Sequence, residues 1–152
     1  LRHLDPVGAL MLLVFRFGWA KPVPVDPRYF KNPRRDMLLV SIAGVSGNFF
    51  TAFVFGMLAR FFPYVFLANA ALRQFVVLMI LINLGLAVFN LIPIPPLDGS
   101  KLLYPLLPSF MLEKYFWLER YGFFVLMILM ALGVVQAIMG PIVMFFFRLF
   151  LF

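Results

Sequence analysis

The sequence lacks cysteine and carries little charge. Of its 152 residues, 12% are Asp, Glu, Lys or Arg, and only one is histidine. Without cysteine, this chain has no disulfide bonds, thiolate nucleophiles or cysteine-ligated metals. The low charge, together with 64% hydrophobic residues, excludes a soluble globular domain, because such a domain needs far more polar surface.

Three uncharged runs are long enough to cross a lipid bilayer. They are Met37–Ala59, Phe75–Ile92 and Gly122–Phe147, and a spanning helix needs about 20 residues. Lipid offers the backbone no hydrogen-bond partner, so each run must be helical. The sequence therefore predicts an all-α, polytopic membrane helical bundle with at least three spanning helices, forming a single membrane-embedded domain over residues 1–152. The nine-residue run Val7–Phe15 is too short for a clear span and is typical of a re-entrant or interfacial segment.

The net charge of +7 is spread beside the hydrophobic runs. A nucleic-acid-binding protein would concentrate these cations in one stripe, so we expect no nucleic-acid partner. Here they are typical of topology determinants and contacts with lipid headgroups. By the positive-inside rule, Lys21–Asp36 and Asp98–Tyr121 are expected to be cytoplasmic.

Polar residues inside the first long run share one face of the predicted helix. Ser41, Gly44, Asn48 and Thr51 have the spacing i, i+3, i+7 and i+10. Such a face is typical of a small-residue packing seam in which Asn48 bonds a neighbouring helix. It is also compatible with a polar cavity at Asn48.

The end of the second long run is broken by prolines. Pro93, Pro95 and Pro96 follow Asn90 closely and remove the amide donors that a continuing helix requires. Asp98 is then delivered at the broken end. From the residues alone it could cap a turn, bind a metal, or form part of an ion site like those of secondary transporters.

Four segments resemble one known family. FNLIPIPPLDG (Phe89–Gly99) resembles the NxxPxPxLDG signature of site-2 proteases, the integral-membrane zinc metalloproteases. AGVSGN (Ala43–Asn48) is similar to their AGPxxN segment, although Val45 replaces the usual proline. Phe17–Arg35 and Arg2–Gly8 resemble the intervening loop and the HLDPxG stretch of the short bacterial members. The order and spacing of the four segments agree with the family.

The resemblance implies a zinc-dependent endopeptidase that cuts peptide bonds within transmembrane helices of membrane-protein substrates. Family members hold one catalytic Zn²⁺ with the two histidines of an HExxH helix and the aspartate of LDG, which corresponds here to Asp98. By the same resemblance, Asn90 and Asn48 line the active site. The residues that shape the site would be Pro93, Pro95, Pro96, Gly99 and Gly44. The resemblance also implies a location in the bacterial inner or plasma membrane.

One departure from the family pattern concerns the metal ligands. The sequence contains no HExxH, and its only histidine, His3, is assigned no role. One aspartate is too few ligands for a catalytic zinc, so no catalytic residue is assigned within this chain. Because the chain begins with Leu1 rather than Met, we expect it to be truncated at its N-terminus, with HExxH lying upstream.

Two other functions are compatible with the sequence. A non-catalytic relative could have kept the fold as a membrane binding or scaffold protein while losing HExxH. An ion-coupled transporter could be built around the broken helix at Pro93–Pro96, although transporters usually contain inverted repeats and none is evident here.

Overall fold

The structure, a computed structural model, describes residues 32–103 and 106–151. The chain divides into two compact units, Leu1–Pro33 and Arg34–Phe152, and the features below belong to the second. The expectations for His3, Val7–Phe15 and most of Lys21–Asp36 lie outside the described residues.

The described part of the chain is built from helices and contains no strand. Three helices are long and apolar enough to cross a membrane, over Arg35–Phe61, Ala70–Asn90 and Val134–Leu151. The predicted all-α, multi-pass membrane fold is therefore confirmed. The helices are α1 (Pro33–Phe61), α2 (Pro63–Ala68), α3 (Ala70–Asn90), α4 (Asp98–Leu103), α5 (Leu112–Ala131) and α6 (Val134–Leu151), with a 3₁₀ turn at Ser109–Met111.

The ends of α1 and α3 follow from local sequence. Helix α1 begins at a proline and has Asp36 in its first turn and Arg60 in its last, so both charges complement the helix dipole. Helix α3 begins earlier than the uncharged run suggested, because the Asn69 side chain caps it by accepting a hydrogen bond from the Leu72 amide at 3.1 Å. Helix α3 ends at Asn90, just before the proline-rich segment.

The third predicted span, Gly122–Phe147, was wrong as a single helix. The chain forms α5 and α6 there, and they are separated at Gly133, which has a φ of 75°. A positive φ is accessible to glycine and strained for other residues, so the helix stops at this point. Pro141 lies inside α6, and the helix continues through it.

A buried apolar cluster joins the three candidate spans. Ala52 of α1 lies against Val76, Ile80 and Leu84 of α3, and all four are buried. Aromatic residues of α6 complete the cluster; for example, the Phe146 ring meets a phenylalanine ring of α1 edge to face at 5.0 Å. Many large apolar side chains on the outer faces of these helices are exposed, as expected for surfaces that lipid solvates.

The separation of α5 from α6 generates a test on Gly133. Gly133→Ala should lower the free energy of unfolding by about 1–2 kcal/mol, because an alanine is strained at positive φ while no atom obstructs its Cβ there. Thermal unfolding in detergent measures the effect. Gly140→Ala is the matched control: its Cβ also meets open space, it lies inside α6, and it should be neutral or stabilising by up to about 1 kcal/mol. Equal behaviour of the two variants would contradict a helix break at Gly133.

Candidate active site

The segment between α3 and α4 is unwound but retains hydrogen bonds. The Leu91 amide donates to the carbonyls of Ala87 and Val88, each at 3.2 Å, so the last turn of α3 is closed. Beyond it, the Ile94 amide donates to the Ile92 carbonyl at 2.8 Å, and the Leu97 amide to the Ile94 carbonyl at 3.0 Å. The three prolines have no amide hydrogen, so these few donors determine how the segment turns.

Two glycines allow this segment to pack closely. Gly99 lies so near the carbonyls of Leu91 and Ile92 that a Cβ would overlap them. Gly122 of α5 lies equally close to the Pro95 carbonyl. Gly99, which was predicted to help shape the site, is buried and tightly packed. Gly122 was not singled out by the sequence, because a glycine inside an apolar run gives no sign of what it will contact.

Helix α4 is held at its centre. Ser100 is buried, and its hydroxyl donates to the Leu97 carbonyl at 2.7 Å. The Tyr115 hydroxyl of α5 donates a long hydrogen bond of 3.4 Å to the Ser100 carbonyl. The backbone on either side of Ser100 is thus fixed between the unwound segment and α5, and this determines where Asp98 can point.

The carboxylate of Asp98 is directed towards α1. One oxygen, Oδ1, accepts a hydrogen bond from Lys101 Nζ at 2.9 Å. The other, Oδ2, faces Gly44, where a Cβ would stand 3.8 Å from it. The Asp98 side chain is 31% exposed, so it is neither buried nor out in bulk solvent. The structure therefore brings together Asp98 and Gly44, which came from two separate motifs.

The two asparagines assigned to the site are both half-buried. Asn48 lies one turn after Gly44 on the same face of α1. Asn90, in the last turn of α3, uses its amide group to donate to the Leu86 carbonyl of its own helix at 2.9 Å. Asn83 makes the equivalent bond to Met79 at 2.8 Å, so this bond does not distinguish a site residue from a structural one.

A buried hydroxyl lies one turn before Gly44. Ser41 is 1% exposed, and its Oγ has no hydrogen-bond partner among residues 32–103 and 106–151. An unpaired buried polar atom costs about 1–3 kcal/mol, so a position of this kind needs a reason. Ser41 and Asn48 flank Gly44 on the face of α1 that meets Asp98.

An apolar cavity of about 510 Å³ adjoins the unwound segment. One wall is formed by Leu91–Ile94 of the unwound segment, and others are formed by residues of α5 and α6. Phe49 of α1, the residue after Asn48, also lines it. The cavity is large enough for several apolar side chains.

Among the described residues, Asp98 is the candidate zinc ligand. Asp98 suits this role because carboxylate oxygen is a common zinc ligand and its Oδ2 faces a residue without a side chain, which leaves room beside it. No group of three His, Cys, Asp or Glu residues occurs within 32–103 and 106–151. The remaining ligands of a zinc site must therefore come from outside the described part of the chain.

Comparisons with known proteins decide the family. The protein-family model described as "Peptidase family M50" matches residues 64–133, which include the unwound segment and Asp98. The Bacillus subtilis (strain 168) protein named "Putative zinc metalloprotease YwhC" is 40% identical over 146 residues, covering 93% of this chain and 67% of the relative. The chain belongs to peptidase family M50, the site-2 protease family. The predictions of this family and of a protease are thereby confirmed. No solved structure matches the chain.

The packing around the M50 motif generates a test on Gly122. Gly122→Ala should lower the free energy of unfolding by about 1–3 kcal/mol, because the new methyl group overlaps the Pro95 carbonyl. Gly85→Ala is the control, since its Cβ meets open space within α3. Denaturant or thermal unfolding of both variants in detergent measures the difference. An unchanged Gly122→Ala would show that α5 does not support the unwound segment.

Proposed function

We propose that this chain forms the core of an intramembrane zinc metalloendopeptidase that cleaves peptide bonds within transmembrane helices of membrane-protein substrates. The observation that carries the proposal is the position of Asp98. A carboxylate from the family motif begins α4, directly after the unwound segment, and its Oδ2 faces Gly44 of α1. An ionisable group in such a place is costly, and it is retained where it has a function.

In this proposal Asp98 is one ligand of a single zinc ion. By the family resemblance, the other two ligands would be the histidines of an HExxH helix, whose glutamate would act as general base. When bound, zinc would act as a Lewis acid and activate the attacking water. The name of the Bacillus subtilis relative, which includes zinc metalloprotease, supports the choice of metal.

The residues around Asp98 support a role in holding substrate. A peptide bond within a helix is protected by its own hydrogen bonds, so the substrate must be locally extended before it is cut. The amides of Asn48 and Asn90 and the carbonyls of the unwound segment can bind the backbone of such an extended stretch. The prolines Pro93, Pro95 and Pro96 would keep this segment from reverting to a helix.

The surroundings of the site support a substrate rich in apolar residues. The cavity of about 510 Å³ beside the unwound segment is lined almost wholly by apolar side chains, which suits the side chains of a membrane helix. The hydroxyl of Ser41, which is buried and has no partner in the described part of the chain, lies on the same face as Gly44. It offers a point at which water could be held near the carboxylate.

The proposal includes a location and a topology. The three candidate spans support a multi-pass protein in a lipid bilayer, and we assign it to the bacterial inner or plasma membrane with Lys21–Asp36 and Asp98–Tyr121 on the cytoplasmic side. Residues 1–152 would form one membrane-embedded domain, a part of the whole protease core.

The zinc-ligand assignment is tested with Asp98→Asn in the complete natural polypeptide. The zinc content should fall from about one ion per chain towards zero, and cleavage of a membrane-protein substrate should fall to background. Glu113→Gln, an acid-to-amide change at an exposed residue of α5, should alter neither quantity. If Asp98→Asn kept full zinc content and full activity, the proposed mechanism would fail. A wild-type polypeptide without zinc or cleavage would instead support a non-catalytic relative.

The substrate-binding role of Asn90 has a matched control within the same helix. Asn90→Ala should lower kcat/KM about twofold to tenfold, the cost of one lost hydrogen bond to substrate, while zinc content is unchanged. Asn83 lies two helical turns before Asn90 and makes the same type of intrahelical amide bond. Asn83→Ala removes that bond and should leave kcat/KM near the wild-type value. Equal losses in the two variants would show that Asn90 acts only on helix structure.

A further inference from the structure

Asp98 shares one of its oxygens with a lysine in the same short helix. Lys101 Nζ lies 2.9 Å from Asp98 Oδ1, and the two side chains are 39% and 31% exposed. An ammonium–carboxylate bond of this length is strong for a hydrogen bond, yet partly exposed ion pairs add little to protein stability. The pair therefore contributes little to the stability of the fold.

The backbone of α4 fixes the relative positions of the two residues. Ser100, between them in sequence, is anchored by its own hydroxyl to Leu97 and by the Tyr115 hydroxyl. Gly99 is packed against the carbonyls of Leu91 and Ile92. These contacts hold the backbone of α4, so Asp98 and Lys101 stay one helical turn apart, within reach of each other.

The two oxygens of Asp98 consequently face different surroundings. Oδ1 is bonded to Lys101, while Oδ2 faces Gly44. A free carboxylate can bind a metal through one oxygen or through both. The Lys101 ammonium takes one lone pair of Oδ1 and places a positive charge beside it, which disfavours a metal cation at that oxygen and favours Oδ2.

We propose that Lys101 is a positioning residue that holds Oδ1 of Asp98, so that the carboxylate binds zinc through Oδ2 alone. The inference rests on the proposed function, in which Asp98 is a zinc ligand. A zinc site with three protein ligands keeps its fourth position for water or substrate. A second oxygen from Asp98 would compete for that position, and Lys101 prevents this.

The experiment uses the complete natural polypeptide with cobalt in place of zinc. Cobalt(II) binds the same types of ligand, and its visible absorption reports coordination geometry, being strong for four ligands and weak for more. Wild type, Lys101→Met, Lys101→Arg, Lys114→Met and Asp98→Asn are compared for cobalt content, visible spectrum and unfolding temperature. Lys114→Met removes the same charge at an exposed residue of α5.

The expected result is a weaker and shifted cobalt band in Lys101→Met, because the released Oδ1 joins the metal. Lys101→Arg should restore the wild-type band, since arginine also donates to a carboxylate. Lys114→Met should match wild type, and no lysine variant should change the unfolding temperature appreciably. A Lys101→Met spectrum that overlays wild type would overturn the inference, as would a large drop in its unfolding temperature.

Asp98→Asn separates this inference from the proposed function. If it keeps the wild-type cobalt content and band, Asp98 is not a ligand and the proposed function fails. If it loses cobalt while Lys101→Met is indistinguishable from wild type, the proposed function stands and the inference about Lys101 fails.

Discussion

Backbone groups inside a membrane protein need partners, and the prolines after α3 remove several of the donors that a helix would use. The chain meets this requirement with a few specific contacts. The amides of Ile94 and Leu97 bond within the unwound segment, and two glycines, Gly99 and Gly122, let other backbone carbonyls pack closely. This arrangement determines where α4 begins and thus where Asp98 lies.

The same arrangement links the site to the peptidase family. The M50 match covers residues 64–133 and so includes α3, the unwound segment, α4 and the whole of α5. Gly44, on α1, lies outside that range and yet faces the Asp98 carboxylate. The site is therefore assembled from parts of the chain that are distant in sequence. A family motif alone would describe only one side of it.

Much of the fold could be predicted because bilayer thickness and backbone hydrogen bonding constrain it strongly. Two of the three uncharged runs correspond to α1 and α3, and the break after Asn90 follows from proline chemistry. The prediction of one continuous helix over the third run was wrong because hydropathy carries no information on backbone conformation. Gly133 and Gly140 both lie in apolar surroundings in the sequence, but of the two only Gly133 adopts a positive φ.

The candidate site was predictable in its composition and only partly in its geometry. Asp98 and Gly44 stand in recognisable motifs, but their proximity depends on how α1 and α4 are placed in three dimensions. In the sequence, Lys101 is one of several cations in the segment predicted to be cytoplasmic. Its spacing of three residues from Asp98 is compatible with a helical ion pair. Nothing in the sequence assigned Tyr115 or Gly122 to the site, because their contacts are with α4 and with the unwound segment, which are distant in sequence.

Sequence by itself determined that the chain is a helical membrane protein, where its second span breaks, and which carboxylate follows the break, because these features depend on local chemistry and on lipid as a solvent. Tertiary structure alone decided that Asp98 faces Gly44, that Lys101 takes one of its oxygens, and that α5 supports the unwound segment. These contacts depend on how the helices and the packed turn are placed in three dimensions. The periodicity of a sequence does not specify that placement.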